Sequence, residues 1–577
     1  MLVVDDRFKL FKGDAMLTQS YAHGASTKPL LGETLGVNFD LAAEKWGERD
    51  ALIVRHQNVR WTYSELKNEV DDFAAGLLAL GLEPGDRIGI WSPNNSEWVV
   101  TQYATAKAGL ILVNINPAYR VAELEYALNK VTCKALVLAT QFKSSDYMGM
   151  LKELAPEISL CEPGNLKSKR LPNLQAVIKI GGSIERGFIE FQEVADKASE
   201  KDKDRIKDLT NILQFDDPIN IQFTSGTTGF PKGATLTHFN VLNNGYFTGE
   251  SLKFTSDDRL CVPVPLYHCF GMVLSNIAAL THGAALIYPD EAFDPLSVLE
   301  AVQEEKCTGL HGVPTMFIAE LEHPRFKEFD LSSLRTGIMA GSPCPIEIMR
   351  RVVDEMYCSE MIIAYGMTET SPVITSSETD DPIEKQVSTV GRIFPHVEVK
   401  IIDENGRIVA PGQTGELLAR GYNVMQGYWD DIEKTEESID EAGWMHTGDL
   451  ATMDPEGFCN IVGRVKDMVI RGGENIYPRE IEEYLYRHPN ISDVQVFGVP
   501  DVKFVEELCA WIILKPDTSC SEEEIREFCR GQIAHYKIPR YIRFVKEYPM
   551  TITGKVQKFA MRDKMIEELD LNQAKTA

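Results

Sequence analysis

No run of about 18 apolar residues occurs in the chain, which argues against a membrane-crossing helix. The best attempt, 271–288, is interrupted by Ser275, Asn276, Thr281, His282 and Gly283. Basic residues are in deficit: 59 Lys and Arg stand against 86 Asp and Glu, a formal charge of −27. That balance argues against nucleic acid or an anionic membrane surface as a main partner. The 11 cysteines include no C-x-x-C pair, and the nearest two are Cys261 and Cys269. A zinc cage or a small disulfide scaffold is thereby disfavoured, and an intracellular, reducing location is expected. The first 20 residues hold Arg7, Lys9 and Lys12 but also Asp5, Asp6 and Asp14, whereas an import presequence is poor in acids. There are no internal repeats and no low-complexity tract.

What is present is an alternation of helical and strand signals over 577 residues, more than one ordinary core. Thr62 and Glu65 form a capping box ahead of an apolar stripe of Leu66, Val70, Phe73, Leu77 and Leu80, and Gly81 ends it. Short apolar runs at 135–138, 284–288 and 361–364 read as strands, with a helix at 295–305 between them. This order predicts an α/β fold in which a large N-terminal domain stacks largely parallel sheets with helices. Residues 165–204 are charge-rich and read as a surface excursion. After 463–467 the composition changes. A helix at 478–487, strands at 494–499 and 509–514 and a helix at 521–533 predict a small, mobile α+β domain. The expected division is 1–463, a hinge at 464–467, and 468–577.

The most informative string is T-S-G-T-T-G-F-P-K-G-A at 224–234, directly after a strand-like stretch at 219–223. Gly226 and Gly229 let the backbone turn its N–H groups inward. The hydroxyls of Thr224, Ser225, Thr227 and Thr228 and the ammonium of Lys232 add donors for phosphate oxygens. The Walker spacing fails, since Pro231 precedes Lys232 and Gly233 follows it. Further along, Y-G-M-T-E-T at 365–370 sets the carboxylate of Glu369 beside hydroxyls, a fit for Mg²⁺ on a triphosphate. T-G-D at 447–449 sets Asp449 in a tight turn, where a carboxylate can accept from two ribose hydroxyls. Arg464 stands at the domain junction, and T-G-K-V-Q-K at 553–558 carries Lys555. Taken singly, Y-G-M-T-E-T reads equally as a site or an ordinary turn, T-G-D as a structural turn, and Lys555 as a solvated lysine.

Taken in order, the five strings resemble the adenylate-forming superfamily, which includes acyl-CoA synthetases, peptide-synthetase adenylation domains and beetle luciferase. The resemblance covers nearly the whole chain. The strings D-P-I-N-I-Q-F-T-S-G from 217, P-L-Y-H-C from 265, R-G-G-E-N-I-Y-P from 471 and S-Y-A-H-G from 20 look like medium-chain acyl-CoA synthetases. The resemblance implies ATP and CoA as cosubstrates, Mg²⁺ as cofactor, and a fatty acid joined to CoA through an acyl-adenylate. It implies that the loop from Thr224 to Lys232 holds the β- and γ-phosphates and that Tyr365 lies against adenine. Thr368 would sit near the α-phosphate, Glu369 on Mg²⁺, and Asp449 with Arg464 on the ribose. Lys555 would serve the first half-reaction, Lys466 the hinge, and Gly473 the passage of pantetheine. His268 is either a border of the acyl pocket or a core histidine. Gly366 stands where acetate-specific relatives carry Trp, so the acid is expected to be longer than acetate. Gly312, Val313, Pro314 and Met316 are either pocket walls by family position or ordinary core residues. The resemblance also implies a mitochondrial location, against a cytoplasmic alternative. An aryl-acid CoA ligase is the rival reading. Luciferase-like oxygenation and a non-catalytic binding protein are further ones. The partners implied are small molecules only.

Overall fold

The computed structural model describes residues 16–224, 231–342, 344–464, 467–471, 474–501, 503–550 and 556–571. Local rules set the helices. Thr62 Oγ1 accepts from the Glu65 N–H at 3.2 Å and the Glu65 carboxylate accepts from the Thr62 N–H at 2.8 Å, closing the capping box of helix Tyr63–Ala79. Leu66, Val70, Phe73 and Leu77 are buried along its stripe, Leu80 caps it, and Gly81 takes φ +84° to turn the chain away. Helix Ser96–Ala108 is buried on all 13 residues. Asn95 caps it, accepting from the Trp98 N–H at 2.9 Å. Of its two charged residues, Glu97 and Lys107, the lysine is accommodated because its ammonium meets Asp40 at 2.7 Å and also Asp71.

An eight-stranded sheet runs in the order Ile189–Glu190, Ala176–Ile180, Ala135–Ala139, Arg87–Trp91, Ile111–Asn114, Pro218–Thr224, Lys232–Thr237, Gly427–Tyr428. Its pairings are parallel as far as Pro218–Thr224 and antiparallel beyond. A nine-stranded sheet is parallel from Glu360–Gly366 through Thr336–Ala340, Gly309–Gly312, Arg259–Cys261 and Ala285–Tyr288 to Asp50–Val54. These strands are buried on both faces, as parallel sheets require, and the main apolar cluster joins them. A further five-stranded sheet, from Tyr21–His23 to Cys459–Arg464, is antiparallel throughout. The helix expected at 295–305 is Pro295–Glu305, opened by Asp294, which accepts from the Ser297 N–H. The interrupted apolar stretch at 271–288 is a buried π-helix, Phe270–Ile277, followed by a turn and the strand Ala285–Tyr288.

The surface excursion expected at 165–204 is corrected. Ala176–Ile180 is an inner strand of the eight-stranded sheet, and helix Glu200–Leu209 follows it. A lysine in the strand hid the signal. The Lys179 side chain is 1% exposed, and its ammonium is satisfied by Glu190 at 2.7 Å and the Gly181 carbonyl at 2.5 Å.

Beyond residue 467, strands Ile491–Asp501 and Val505–Leu514 pair antiparallel, and Tyr541–Phe544 joins them in parallel. Helices Pro478–Leu485, Glu522–Cys529 and Lys558–Glu568 cover this sheet with two apolar clusters of their own. Both early helices are shorter than expected: the first stops at Leu485, and Gly531 at φ +73° follows the second. No described helix is long and apolar enough to cross a membrane.

Candidate active site

Strand Pro218–Thr224 reaches its carboxyl end beside the parallel strand Ile111–Asn114, the edge at which open α/β sheets bind ligands. The chain returns as Lys232–Thr237, antiparallel, with Thr224 opposite Lys232. Ser225, Gly226, Thr227, Thr228 and Gly229 lie outside the described residues. Lys232 Nζ donates to the Tyr428 hydroxyl at 2.9 Å and stands 4.0 Å from that ring's centroid. The Tyr428 hydroxyl in turn donates to Glu369 Oε1 at 2.8 Å. An ammonium and a buried carboxylate are thus linked through a phenol. Burial draws the Lys232 ammonium below its usual range, and the Glu369 charge opposes this. Burial raises the Tyr428 phenol, and the neighbouring Glu369 carboxylate adds to the rise.

Glu369 lies in a short 3₁₀ turn, Thr368–Thr370, just past strand Glu360–Gly366. Thr370 Oγ1 donates to the Pro372 carbonyl at 2.8 Å, and the Glu369 carbonyl accepts from the Met425 N–H at 2.9 Å, so the turn is fixed from two sides. Gly366 has a backbone reason to be glycine. A Cβ there would stand 1.7 Å from the Pro372 carbonyl oxygen. A side chain at 366 would therefore require the two hairpin strands to move apart. Asn244 holds the far side of this hairpin, donating to the Val373 carbonyl at 3.2 Å and accepting its N–H at 3.1 Å.

Tyr365, one residue earlier, donates its hydroxyl to Asp449 Oδ2 at 2.7 Å. Asp449 stands opposite Arg464 on paired strands, and Arg464 Nε lies 3.2 Å from its Oδ1. Burial, and then the charge of Asp449, raise the Tyr365 phenol well above its ordinary value. Residues 365–369 therefore join two polar centres, Tyr365–Asp449–Arg464 at one end and Lys232–Tyr428–Glu369 at the other.

His268 is half-buried, and its Nδ1 accepts from the Phe270 N–H at 3.2 Å. Its two neighbours are tied by one buried circuit. The Cys269 thiol, which burial pushes up to about 12, donates to Gln222 Oε1 at 3.2 Å. Gln222 donates to Asn220 at 2.9 Å, Asn220 to Asn114 at 3.0 Å, and Asn114 to the Tyr267 carbonyl at 2.8 Å. Beside Tyr267 opens a cavity of ≈ 260 Å³ that Val313 and Met316 also line. Gly312 is not in that lining; a Cβ at 312 would press on the Phe317 ring at 2.9 Å.

Lys466, Gly473 and Lys555 lie outside the described residues. Tyr428 and the Asn114–Asn220–Gln222 circuit are absent from the sequence reading. The run G-Y-W at 427–429 carries no local mark of a polar role. The alternation of polar and apolar residues at 218–223, Asn220 and Gln222 against Ile219, Ile221 and Phe223, is the signal that could have suggested an inward polar face. Among the described residues no group of three or more His, Cys, Asp or Glu forms a metal cluster. One buried carboxylate, with phosphate oxygens and waters completing the shell, is the donor set Mg²⁺ takes in nucleotide sites, and Glu369 fits it.

Lys232, Tyr428 and Glu369 thus form one polar centre beside the end of strand Pro218–Thr224, and Tyr365, Asp449 and Arg464 form a second. The chain belongs to the AMP-binding enzyme family: that family's profile matches residues 39–429, and the AMP-binding enzyme C-terminal domain matches residues 480–555. The chain is 48% identical over 558 residues to the medium-chain acyl-CoA ligase ACSF2, mitochondrial, of Danio rerio, covering 96% of this chain and 92% of the relative. It is equally identical, 48% over 544 residues, to YngI of Bacillus subtilis (strain 168), covering 94% and 99%. Among solved structures, the anthranilate CoA ligase AuaEII in complex with anthranoyl-AMP superposes with TM-score 0.80 at 25% identity, covering 93% of this chain and 98% of that one. ATP-bound MatB from Rhodopseudomonas palustris gives 0.79 at 28% identity, covering 92% and 99%.

Proposed function

We propose that the protein ligates a medium-chain fatty acid to CoA in two steps, consuming ATP and releasing AMP and pyrophosphate. The observation that carries this reading is the pair of polar centres joined by residues 365–369. One would take a ribose and its base, the other a polyphosphate. The acid's carboxylate attacks the α-phosphorus while Lys232 and the loop from Thr224 hold the departing pyrophosphate. Thr368 lies beside the reacting phosphate, and Tyr365, Asp449 and Arg464 fix the nucleoside. Magnesium, when bound, offsets charge between the phosphates, and Glu369 would hold it. Lys555 meets the developing charge in this step. In the second step the CoA thiol attacks the same carbonyl, past His268. For this the part from 468 to 577 turns on the hinge at 464–467, around Lys466. Lys555 is thereby withdrawn and the loop with Gly473 comes in beside pantetheine.

The fatty-acid reading is favoured over an aryl acid by identity: the ACSF2 relative is far more similar than the anthranilate ligase. "Mitochondrial" stands in the ACSF2 name and not in that of the equally similar Bacillus subtilis protein. The test is pyrophosphate release over free acids from acetate to palmitate plus several aryl acids, with and without CoA. Release should peak at medium length and couple to CoA. A peak on the aryl acids, or turnover that ignores CoA, refutes the assignment.

Tyr428 receives a role in this site. Its phenol keeps the Lys232 ammonium from closing directly on Glu369, so that each charge stays available to the phosphates and to Mg²⁺. Hydrogen bonds to charged groups contribute about 1.5–3 kcal/mol. Tyr428→Phe keeps the ring beneath Lys232 and removes the bridge. It should raise KM for ATP about tenfold and shift the Mg²⁺ titration upward, leaving KM for the acid unchanged. Steady-state kinetics with ATP and Mg²⁺ varied separately read the difference, and an equal rise in both substrates' KM would count against the role.

A further inference from the structure

His311 lies on strand Gly309–Gly312 and is fully buried, two residues before the cavity-lining Val313. Its Nδ1 is 3.0 Å from Ser275 Oγ. The Ser275 hydroxyl already donates to the Phe270 carbonyl at 3.0 Å. Toward His311 the serine therefore accepts, and Nδ1 carries the imidazole proton. Burial lowers the ring's pKa to about 3, so it is neutral. Nε2 is left as a bare lone pair, buried and without a hydrogen-bond partner. A buried acceptor without a donor is unfavourable, and such atoms call for a ligand or a water.

The surroundings narrow the choice. Ser275 and Phe270 both belong to the π-helix Phe270–Ile277, a widened turn of the kind that recurs at functional sites. The Phe270 ring packs on His311 with centroids 5.5 Å apart, and the Phe270 N–H donates to His268 Nδ1. Phe270 thus touches His311 with its ring and His268 with its backbone N–H, and neither His311 nor Phe270 is in the lining of the cavity beside Tyr267. The Phe254 ring stacks on it at 6.5 Å. A buried water needs two to four polar partners, and neither phenyl ring packed on the imidazole supplies one.

We propose that His311 Nε2 accepts a hydrogen bond from a hydroxyl on the distal part of the acyl chain, so that the enzyme takes a hydroxylated medium-chain acid of one particular length. This rests on the acid–CoA ligase reading. An apolar pocket accepts an added hydroxyl poorly, whereas a placed acceptor makes the hydroxyl welcome at one position only.

The experiment compares kcat/KM for thioester formation with plain and ω-hydroxy acids, matched in length from hexanoic to tetradecanoic acid. The hydroxyl should lower kcat/KM about tenfold or more at most lengths, the effect of burying it without a partner. At one length the two acids should be used about equally, or the hydroxy acid better. His311→Leu should remove that exception, lowering the hydroxy-to-plain ratio there about tenfold while the plain acid is still used. If His311→Leu does not fold, the unsubstituted enzyme's length series decides alone. A uniform penalty at every length, as when only water meets Nε2, overturns the proposal, and so does an unchanged ratio in a folded His311→Leu. If no plain acid yields AMP, the ligase reading itself falls, and this inference with it.

Discussion

Lys555→Ala is expected to lower the rate of acyl-adenylate formation about 10²–10³-fold, because one donor aimed at developing charge contributes on the order of 3 kcal/mol to the barrier in such sites. The same substitution should leave thioester formation from supplied acyl-adenylate and CoA much less affected. The contrast follows from the chemistry of the two half-reactions. In the first, an anionic carboxylate approaches an anionic phosphate, and a cation between them is worth most at the transition state. In the second, the nucleophile is a thiol arriving at the same carbonyl, and a lysine there stands in its way. Single-turnover measurements of each half-reaction separate the outcomes. Adenylation at the unsubstituted rate would remove Lys555 from the mechanism. Equal loss in both half-reactions would make it a structural residue of the C-terminal part.

Several parts of this molecule are readable from its sequence because their physics is local. The Thr62–Glu65 box, the helix at Pro295–Glu305 and the left-handed Gly81 are each decided within a few residues. The strings holding Lys232, Tyr365, Glu369 and Asp449 are likewise local, and the fold joins Lys232 to Glu369 through one phenol and Tyr365 to Asp449 directly. Other features depend on distant partners. Tyr428 is an unremarked tyrosine until the fold brings it to Glu369, 59 positions away, and to Lys232, 196 away. The strand Ala176–Ile180 contains a lysine that only Glu190 and a carbonyl make tolerable there. Gly366 reads from sequence as room for an acyl chain. The fold adds that the Pro372 carbonyl occupies the place a side chain would take. The proton on His311 Nδ1 follows from Ser275 and Phe270, on an element that hydropathy alone marks only as a broken apolar run.

Asp449→Asn is expected to lower kcat/KM for ATP about a hundredfold and to abolish the enzyme's discrimination against deoxyribose analogues of ATP. An ionised carboxylate has roughly four acceptor positions. The Tyr365 hydroxyl fills one of them, and Arg464 Nε pairs with Oδ1 at 3.2 Å. At least two positions remain, the number that vicinal ribose hydroxyls require. Tyr365 and Arg464 also hold the carboxylate in one orientation before ATP arrives, so the bonds to ribose cost little further ordering. An amide of the same size keeps one oxygen and turns an NH₂ group toward donors that need an acceptor, losing the charge as well. Two charge-assisted bonds at about 1.5 kcal/mol each account for the expected hundredfold. Loss of activity alone would not separate a ribose ligand from a brace for Tyr365 and Arg464, so the analogues carry the test. If Asp449 binds ribose, 2′-deoxy- and 3′-deoxy-ATP are poor substrates for the unsubstituted enzyme and no worse than ATP for the variant. If the variant still prefers ATP to both analogues by the original factor, Asp449 supports its neighbours and the ribose is held elsewhere.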